Sequence, residues 1–182
     1  MDKPLNKERR KSHIEYGDIY FWTATINKWY WLLEKDEYKD VIIESLQYLT
    51  DEGKIDVYAF VIMPNHIHLI WQPLPAETLT SIQLSFMKFT AQKIKLALID
   101  DNSPLLPLCL VNKKDRLYQI WKRNPLSVEL HSEKVFMQKL EYIHGNPVNA
   151  GLCQYPENYH YSSALFYEKG IDTFNMLTQY MG

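Results

Sequence analysis

The segment IDVYAFVIMPNHIHLIWQ, residues 55–72, holds two runs of apolar, β-branched and aromatic residues separated by Pro64 and Asn65. Runs of this composition predict two strands, Ile55–Met63 and His66–Gln72, with prolines ending the second. Two residues are enough to join antiparallel strands, whereas parallel strands need a crossover of about a dozen residues. The segment therefore predicts an antiparallel hairpin and disfavours a doubly wound parallel sheet.

Further elements flank this hairpin. A strand is predicted at about Asp18–Asn27, and the helical spacing of apolar residues predicts three longer helices: Trp31–Thr50, Thr78–Ile99 and Ser132–Gly145. The remaining chain predicts a loop, a short strand and a short helix: Asp100–Asp115, Leu117–Trp121 and Ser162–Tyr167. Residues expected to face inward on the second and third helices are Ile82, Phe86, Phe89, Ile94, Phe136, Leu140 and Ile143. This order favours an α+β sandwich, one antiparallel sheet backed by helices.

The composition is that of a folded protein with a substantial core. Of the 182 residues, 46% are hydrophobic and 14% are aromatic, which excludes a disordered chain. We expect a basic arm at 1–17, a single domain at 18–150 and an aromatic tail at 151–182 that packs on the domain. No secretory signal or membrane-spanning run is visible, so we expect a cytoplasmic protein. Two cysteines are too few for a disulfide scaffold, and both are expected to be ordinary thiols.

The formal net charge of −2 excludes a nucleic-acid binder that is basic all over its surface. The charge is unevenly distributed, however. Residues 34–56 hold eight acidic and three basic side chains, whereas residues 111–123 hold five basic and one acidic. The sequence therefore remains compatible with a DNA-binding face confined to one side of the protein.

His66 and His68 stand two positions apart in a predicted strand. Residues at this spacing point to the same face, so both imidazoles project together while Ile67 points into the core. Two neighbouring neutral imidazoles provide half of a metal site. The alternative interpretation is two half-exposed histidines, each hydrogen-bonded to a neighbour. Two in register favour metal ligation, although this short pattern also arises by chance.

Tyr142 and Asn146 lie one turn apart on a predicted helix and so share a face. In phosphoryl chemistry a tyrosine oxygen can act as the nucleophile, and a carboxamide oxygen can bind the metal that polarises the phosphate. The chain has 13 tyrosines, most of them expected to pack, and an asparagine before a proline commonly ends a helix. Taken alone, this segment favours the structural interpretation.

Together these segments resemble a known family. MPNHIHLI, residues 63–70, resembles the HUH motif of the IS200/IS605-like single-tyrosine (Y1) transposases. EYIHGNPVNAGL at 141–152, followed by YPENYHYSSA at 155–164, is similar to the C-terminal signature of the REP-associated tyrosine transposase branch. Weaker similarity at Tyr16-Gly17-Asp18 and Ile120-Trp121 extends the resemblance over about residues 16–165.

The resemblance implies a ferredoxin-like (RRM-like) sheet that carries the histidines and a C-terminal helix that carries the nucleophilic tyrosine. It also implies a transposase that cuts single-stranded DNA next to hairpins, with Mg²⁺ or Mn²⁺, through a 5′-phosphotyrosine intermediate. By position, His66 and His68 correspond to metal ligands, Tyr142 to the nucleophile and Asn146 to the third, amide-bearing ligand. Some relatives are dimers, so a homodimer is one expected state.

The sequence departs from the family pattern at some positions. Gly145 stands where the family usually has a larger residue, which is expected to loosen the helix between Tyr142 and Asn146. The 100–115 segment matches no part of the pattern. His144 points away from Tyr142 on a helix, so we expect it to be structural or to contact DNA.

Basic side chains mark three candidate DNA contacts, since phosphates attract cations. One is the N-terminal arm, and another is the outer face of the second long helix, at Lys88 and Lys95, where solvated surface is the slightly favoured alternative. The third, which flanks the strand before the tyrosine helix, consists of Lys113, Lys114, Arg116, Lys122 and Arg123. Nominal stacking platforms for unpaired bases are Trp22, Trp29, Trp31 and Trp71, although core packing is favoured for most of them.

Three functional hypotheses follow. The leading one is the metal-dependent single-stranded DNA strand transferase that the resemblance implies. The second is a domesticated REP-like hairpin-binding protein that has kept the fold with little or no turnover. The third is a metal hydrolase on another fold, which we rank lowest because the chain lacks further His and Asp clusters.

Overall fold

The computed structural model of the chain describes residues 18–74 and 78–181. Its strands and helices are β1 (Tyr20–Thr25), α1 (Asp36–Asp51), β2 (Ile55–Met63), β3 (His66–Pro73), α2 (Leu79–Asp100), β4 (Leu110–Lys113), β5 (Arg116–Tyr118), β6 (Leu126–Glu129), α3 (Glu133–Asn149) and α4 (Ala164–Lys169). Short 3₁₀ turns occupy Asn27–Trp29, Leu106–Cys109 and Pro156–Asn158. The expected basic arm, residues 1–17, lies outside the described residues.

The main sheet has the strand order β2-β3-β1-β6, and every neighbouring pair is antiparallel. The β2–β3 hairpin joins two strand–helix–strand units, β1-α1-β2 and β3-α2-β6, which is the connectivity of a ferredoxin-like fold. The expected α+β architecture is therefore confirmed. Strands β4 and β5 form a separate two-stranded ribbon.

Strand β3 is buried on both faces, and its alternation assigns each side chain to one of two cores. Ile67, Leu69 and Trp71 face the larger core, which α1 and α2 cover. His68 and Ile70, on the opposite face, lie on the side that α3 covers. The expected inward orientation of Ile67 is thus confirmed.

Helix α3 packs across the second face of the sheet through one apolar stripe. Phe136, Leu140 and Ile143 are buried there against Phe21 and Ile70. These residues recur at helical spacing, as the sequence predicts. Their burial fixes the rotation of α3 about its axis, and so decides which of its polar residues face the sheet.

The residues after α3 return to the outer edge of β2. The Ile62 N–H donates to the Tyr161 carbonyl at 2.9 Å, and the Thr178 N–H donates to the Val57 carbonyl at 2.8 Å. These bonds cover backbone groups that an edge strand otherwise exposes. The tail thereby adds hydrogen bonds to the strand that precedes the histidines.

The predicted helix Trp31–Thr50 is wrong at its beginning, because α1 starts at Asp36. The preceding residues form a turn in which Lys28 and Trp29 have left-handed backbones, with φ of 57° and 61°. Leu32 and Leu33 are buried, as helical spacing suggested, but they reach the core from an irregular segment.

The predicted short strand Leu117–Trp121 is present only over residues 116–118, and it does not join the main sheet. Residues 116–118 pair with β4 in the separate ribbon, and the sheet takes Leu126–Glu129 as its edge strand instead. The predicted loop at 100–115 contains the turn Leu106–Cys109 and β4. Long-range pairing decided both outcomes, and local composition does not encode it.

Two expectations on the helices are also corrected. Helix α3 does not end at Gly145 but continues through Pro147 to Asn149. The proline stands in the last turn, where its missing N–H costs a single backbone hydrogen bond. On α2, Phe89 is 46% exposed and does not face inward, whereas Ile82, Phe86 and Ile94 are buried as expected.

Within the described ranges, no helix combines the length and the apolar composition needed to cross a membrane. Cys109 and Cys153 are both free thiols.

Thr90 connects α2 to the segment that follows β5. Its hydroxyl accepts a hydrogen bond from the Trp121 indole N–H at 2.9 Å and donates to the Phe86 carbonyl at 2.8 Å, all in the core. Thr90→Val keeps the shape but leaves the indole N–H unpaired. We expect it to lower the free energy of unfolding by about 1–3 kcal/mol in chemical denaturation. Thr90→Ser, which keeps the hydroxyl, is the control, and equal stabilities for the two variants would contradict this role.

Candidate metal and nucleophile site

His66 and His68 project from the α3 side of β3, with ring centroids 4.7 Å apart. One nitrogen of each ring forms a hydrogen bond with a neighbouring side chain. Nδ1 of His68 lies 2.7 Å from the Thr23 hydroxyl, and Nδ1 of His66 lies 2.6 Å from the Asn65 side-chain oxygen. Thr23 stands directly opposite His68 in the β1–β3 register. Such bonds fix the orientation of a metal-binding imidazole and leave Nε2 for the metal.

Both imidazoles are neutral at physiological pH. Burial lowers the pKa of His68 to about 3, and the protonated form of His66 and the charge of Lys139 act in the same direction. Burial also lowers the pKa of His66, partly opposed by a side-chain hydrogen bond with Asn146. A neutral imidazole offers the lone pair that a metal ligand requires.

Tyr142 faces the same site from α3. Its ring centroid lies 5.2 Å from that of His68 and 6.0 Å from that of Phe21, in edge-to-face geometry. The side chain is nevertheless 51% exposed, so a polymeric substrate can reach it. The structure therefore brings the predicted tyrosine beside the predicted histidine pair.

Asn146 completes the cluster one turn after Tyr142. Its Nδ2 donates to the Tyr142 carbonyl at 2.8 Å, so Oδ1 is the atom left to accept a bond or to bind a cation. Gly145, between the two, does not interrupt α3. A Cβ at Gly145 would meet the Asn149 amide at an ordinary contact distance of 3.6 Å, so the helix also has room there for a larger residue.

The donor set fits a divalent cation. Nε2 of His68 is buried and has no hydrogen-bond partner among the described residues. Among the residues that the structure describes, no group of three or more His, Cys, Asp and Glu side chains is arranged to hold a metal. A site here would therefore consist of His66, His68 and the Asn146 oxygen. Two imidazoles and an amide oxygen would supply three ligands to such a cation and leave positions for water or substrate.

Lys139 is a member of this cluster that the motifs did not reveal. Its Nζ lies 4.7 Å from the Phe21 ring centroid and 5.7 Å from that of Tyr142. A lysine three residues before the tyrosine lies on the same helix face, so helical spacing alone would have found it. It gives the site a positive charge on the α3 side.

The basic residues singled out in the sequence converge more than their spacing indicates. One cleft of about 330 Å³ joins Lys88 and Lys95 of α2 to Arg116, and a second of about 570 Å³ joins Lys88 to Lys122 and Arg123. The helix pair is therefore continuous with the later cluster.

A third cleft, of about 620 Å³, brings Lys113, Lys122 and Arg123 to Lys28, which sequence reasoning missed. Lys114 is exposed at the β4–β5 turn and lines none of these three clefts. We refer to the surface formed by Lys28, Lys88, Lys95, Lys113, Arg116, Lys122 and Arg123 as the basic cleft.

One segment of the basic cleft is bonded to the strand beside the histidines. The Lys122 N–H donates to the Thr25 carbonyl at 2.7 Å, and Thr25 is paired with His66 across β1 and β3. Asp115 partly offsets the positive charge of the basic cleft, because its carboxylate forms ion pairs with Arg116 at 2.7 Å and Arg123 at 3.0 Å.

The tryptophans divide into two classes. Trp22 and Trp71 are fully buried and pack on each other at 5.0 Å between ring centroids. Trp29 and Trp31, in the turn before α1, are more than half exposed, at 54% and 56%. The expectation of core packing is therefore correct for the first pair and wrong for the second.

Comparison with known proteins supports the architecture. No family model matches the chain, and no curated protein matches it in sequence. Among solved structures, a REP-associated tyrosine transposase bound to a REP hairpin aligns over 100% of both chains, with a TM-score of 0.63 and 15% identity. The chain has the fold of that transposase. A structure described as a putative transposase from Deinococcus radiodurans R1 covers 80% of this chain and 97% of its own, with a TM-score of 0.49 and 16% identity. At 15% identity the likeness to the REP-associated transposase establishes the fold alone.

His144 faces away from Tyr142, as helical geometry predicts. Its Nε2 lies 2.9 Å from the Ser163 hydroxyl, which also accepts the Phe60 N–H at 3.0 Å. The imidazole packs on Tyr167, with the ring centroids 5.3 Å apart. Burial lowers its pKa to about 4. His144 therefore joins α3 to the chain that covers β2.

This buried histidine makes folding sensitive to acid. The unfolded chain protonates this histidine below its ordinary pKa of about 6.5, whereas the folded chain does so only below about pH 4. The free energy of unfolding therefore decreases as the pH falls through this range. Between pH 7 and pH 5 the free energy of unfolding falls in wild type. We expect this fall to be about 1–2 kcal/mol smaller in His144→Gln. Denaturant unfolding at both pH values measures this loss. His160→Gln, at an exposed histidine, is the control, and an unchanged loss in His144→Gln would contradict the assignment.

Proposed function

We propose that the protein is a divalent-metal-dependent transposase-type enzyme that cuts and rejoins single-stranded DNA beside hairpins. The observation that carries the proposal is the convergence of Tyr142 with His66, His68 and Asn146 on one face of the sheet. These residues lie on β3 and α3, which are more than 70 positions apart in the sequence. The apolar packing of β3 and α3 brings them together. The shared fold with a hairpin-bound transposase supports the same reading.

In the proposed reaction, Tyr142 attacks the phosphorus of the scissile phosphodiester. The bond from its phenolic oxygen to phosphorus forms as the bond to the 3′ oxygen breaks, giving a 5′-phosphotyrosine and a free 3′-hydroxyl. The phenol loses its proton, and the departing oxygen gains one. The covalent intermediate conserves the phosphodiester energy, so a 3′-hydroxyl can later attack it and rejoin the strand.

His66, His68 and Asn146 would hold the metal. A bound Mg²⁺ or Mn²⁺ ion supplies Lewis-acid stabilisation of the charge that develops on the phosphate. Thr23 and Asn65 keep the two imidazoles oriented, and Lys139 adds a positive charge on the α3 side, where the phosphate would bind. The half-exposed Tyr142 ring leaves room for the strand to lie across the site.

The basic cleft would hold the DNA backbone. The Lys122–Thr25 backbone bond joins the segment that carries Lys122 and Arg123 to the strand beside β3, so a strand that leaves the cleft along this segment would pass toward the nucleophile. A hairpin substrate is proposed from the neighbouring structure, which contains a REP hairpin.

A covalent adduct tests the nucleophile. Wild-type protein incubated with labelled hairpin DNA carrying single-stranded flanks and Mn²⁺ should give a protein–DNA band on a denaturing gel, and Tyr142→Phe should give none because it lacks the attacking oxygen. Tyr155→Phe, at another exposed tyrosine, should keep the adduct. If wild type binds hairpins from its own genome yet forms no adduct with any of them, the protein is a binding module.

Metal-dependent stabilisation tests the ligands. A cation at one hundred times its dissociation constant stabilises the folded chain by about 2.7 kcal/mol, so Mn²⁺ should raise the melting temperature of wild type. The double variant His66→Gln/His68→Gln should lose this rise, and Asn146→Ala should need a higher Mn²⁺ concentration. Each variant is compared with itself in chelator, so its own loss of stability cancels. A full rise in the double variant would remove the histidines from the site.

A further inference from the structure

A cavity whose lining, among the described residues, has no carboxylate, lysine or arginine borders the candidate metal site. It has a volume of about 320 Å³ and is lined by Trp31, the β2–β3 turn, His66, Asn146 and Asn149 among others. This volume is at the small end of the range for ligand pockets, about 300–1,000 Å³. Because His66 and Asn146 belong to both, whatever occupies the cavity lies next to the reacting phosphate.

Trp31 forms the apolar wall of this cavity and is held there by its neighbours. Leu32 and Leu33, which follow it, are buried at 1% and 0% exposure, and the Leu33 N–H donates to the Pro64 carbonyl at 2.8 Å. The backbone is therefore anchored to the hairpin turn while the indole stays 56% exposed. A large aromatic side chain fixed in this way marks a binding surface.

Trp29, two residues before Trp31, is a second exposed indole and lies near His66. Its ring centroid is 6.1 Å from that of His66, and its backbone has a φ of 61°, which is uncommon for a bulky residue. Hydrogen bonds from Trp29 to Ile26 at 3.0 Å and from Asn27 to Ile120 at 2.7 Å hold this strained turn. Such strain is concentrated at functional sites.

The polar lining suits the edge of a base and not a phosphate. Among the described residues, the lining carries no carboxylate, lysine or arginine. The Asn149 carboxamide is exposed and forms no hydrogen bond with any described residue, so it can both donate and accept. The cations lie instead in the basic cleft, with Lys28 immediately before Trp29.

We propose that Trp31, supported by Trp29, is the stacking platform for one unpaired nucleobase adjoining the cleaved phosphate, and that Asn149 reads its edge. This subsite rests on the proposed function, since its occupant is a base of the single-stranded DNA. Stacking on an indole supplies affinity for any base, and the carboxamide adds preference among the four.

The test measures affinity in a Tyr142→Phe background, so that it does not depend on cleavage. Hairpin DNA with a single-stranded flank is used intact and with one abasic position moved along the flank. Trp31→Ala should weaken binding of intact DNA about 5- to 100-fold, and Trp31→Phe, which keeps a ring, by much less. At one abasic position, Trp31→Ala and its parent should bind equally. Tyr48→Ala, at an equally exposed aromatic residue on α1, should match the parent throughout.

Base preference tests Asn149. With each of the four bases at the position found by the abasic scan, Asn149→Ala should flatten the differences in affinity while retaining the stacking effect. Equal preference in the parent and in Asn149→Ala removes Asn149 from the subsite.

The outcomes separate this subsite from the proposed function. If wild type forms the covalent adduct and Trp31→Ala does not change the affinity, the subsite is wrong and the proposed enzyme stands. If Trp31→Ala loses affinity but wild type forms no adduct, the subsite stands and the protein binds DNA without cutting it. If sedimentation shows that Trp31→Ala changes only the oligomeric state, the indole belongs to a contact between copies of the chain and the subsite is wrong. Absence of all binding to single-stranded DNA overturns both.

Discussion

The alternation of side chains along β3 is the constraint on which the site depends. Ile67, Leu69 and Trp71 anchor one face of the strand in the larger core, so the intervening residues must face α3. A slip of one residue in the pairing with β1 would exchange the two faces. Every such slip would bury both imidazoles among Trp22 and Phe86 and move the large apolar side chains to the face that α3 covers. The packing of the core therefore determines the orientation of the histidines.

Helix α3 is constrained in the same manner. Phe136, Leu140 and Ile143 need the apolar part of the second face, which leaves Tyr142 over His68 and Asn146 over His66. The i, i+4 spacing that the motif supplies becomes a spatial relation to the strand only because the apolar stripe fixes the rotation of the helix. His144, on the far side, is bound to Ser163 and completes the fit of α3 to the C-terminal chain.

Sequence reasoning succeeded where local chemistry decides the structure. The hairpin needed only its two-residue connection, and the inward stripe of α3 needed only helical periodicity. The edge strand was missed because Leu126–Glu129 is short and half-exposed, and its pairing with β1 is a long-range choice. The start of α1 was misplaced because apolar spacing does not distinguish a helix from an anchored turn. Trp29 and Trp31 could not be separated from Trp22 and Trp71 by composition, since exposure depends on which backbone segments are anchored nearby. Residue types alone likewise gave no indication that Lys88 and Lys95 would meet Arg116 across α2 and β5.

The energetic state of His68 distinguishes a functional site from packing. Leaving a buried polar atom without a partner costs about 1–3 kcal/mol. Nε2 of His68 is such an atom among the described residues, as are the indole nitrogens of Trp22 and Trp71. The indoles lie deep in the larger core, where their aromatic area offsets the cost, but His68 brings a smaller ring and a pKa of about 3. An apolar residue would fill the same place at less cost, so packing gives no reason for a histidine there. A cation shared with His66 and Asn146, as proposed above, would give this nitrogen a partner and would account for a histidine at a position where it lowers stability.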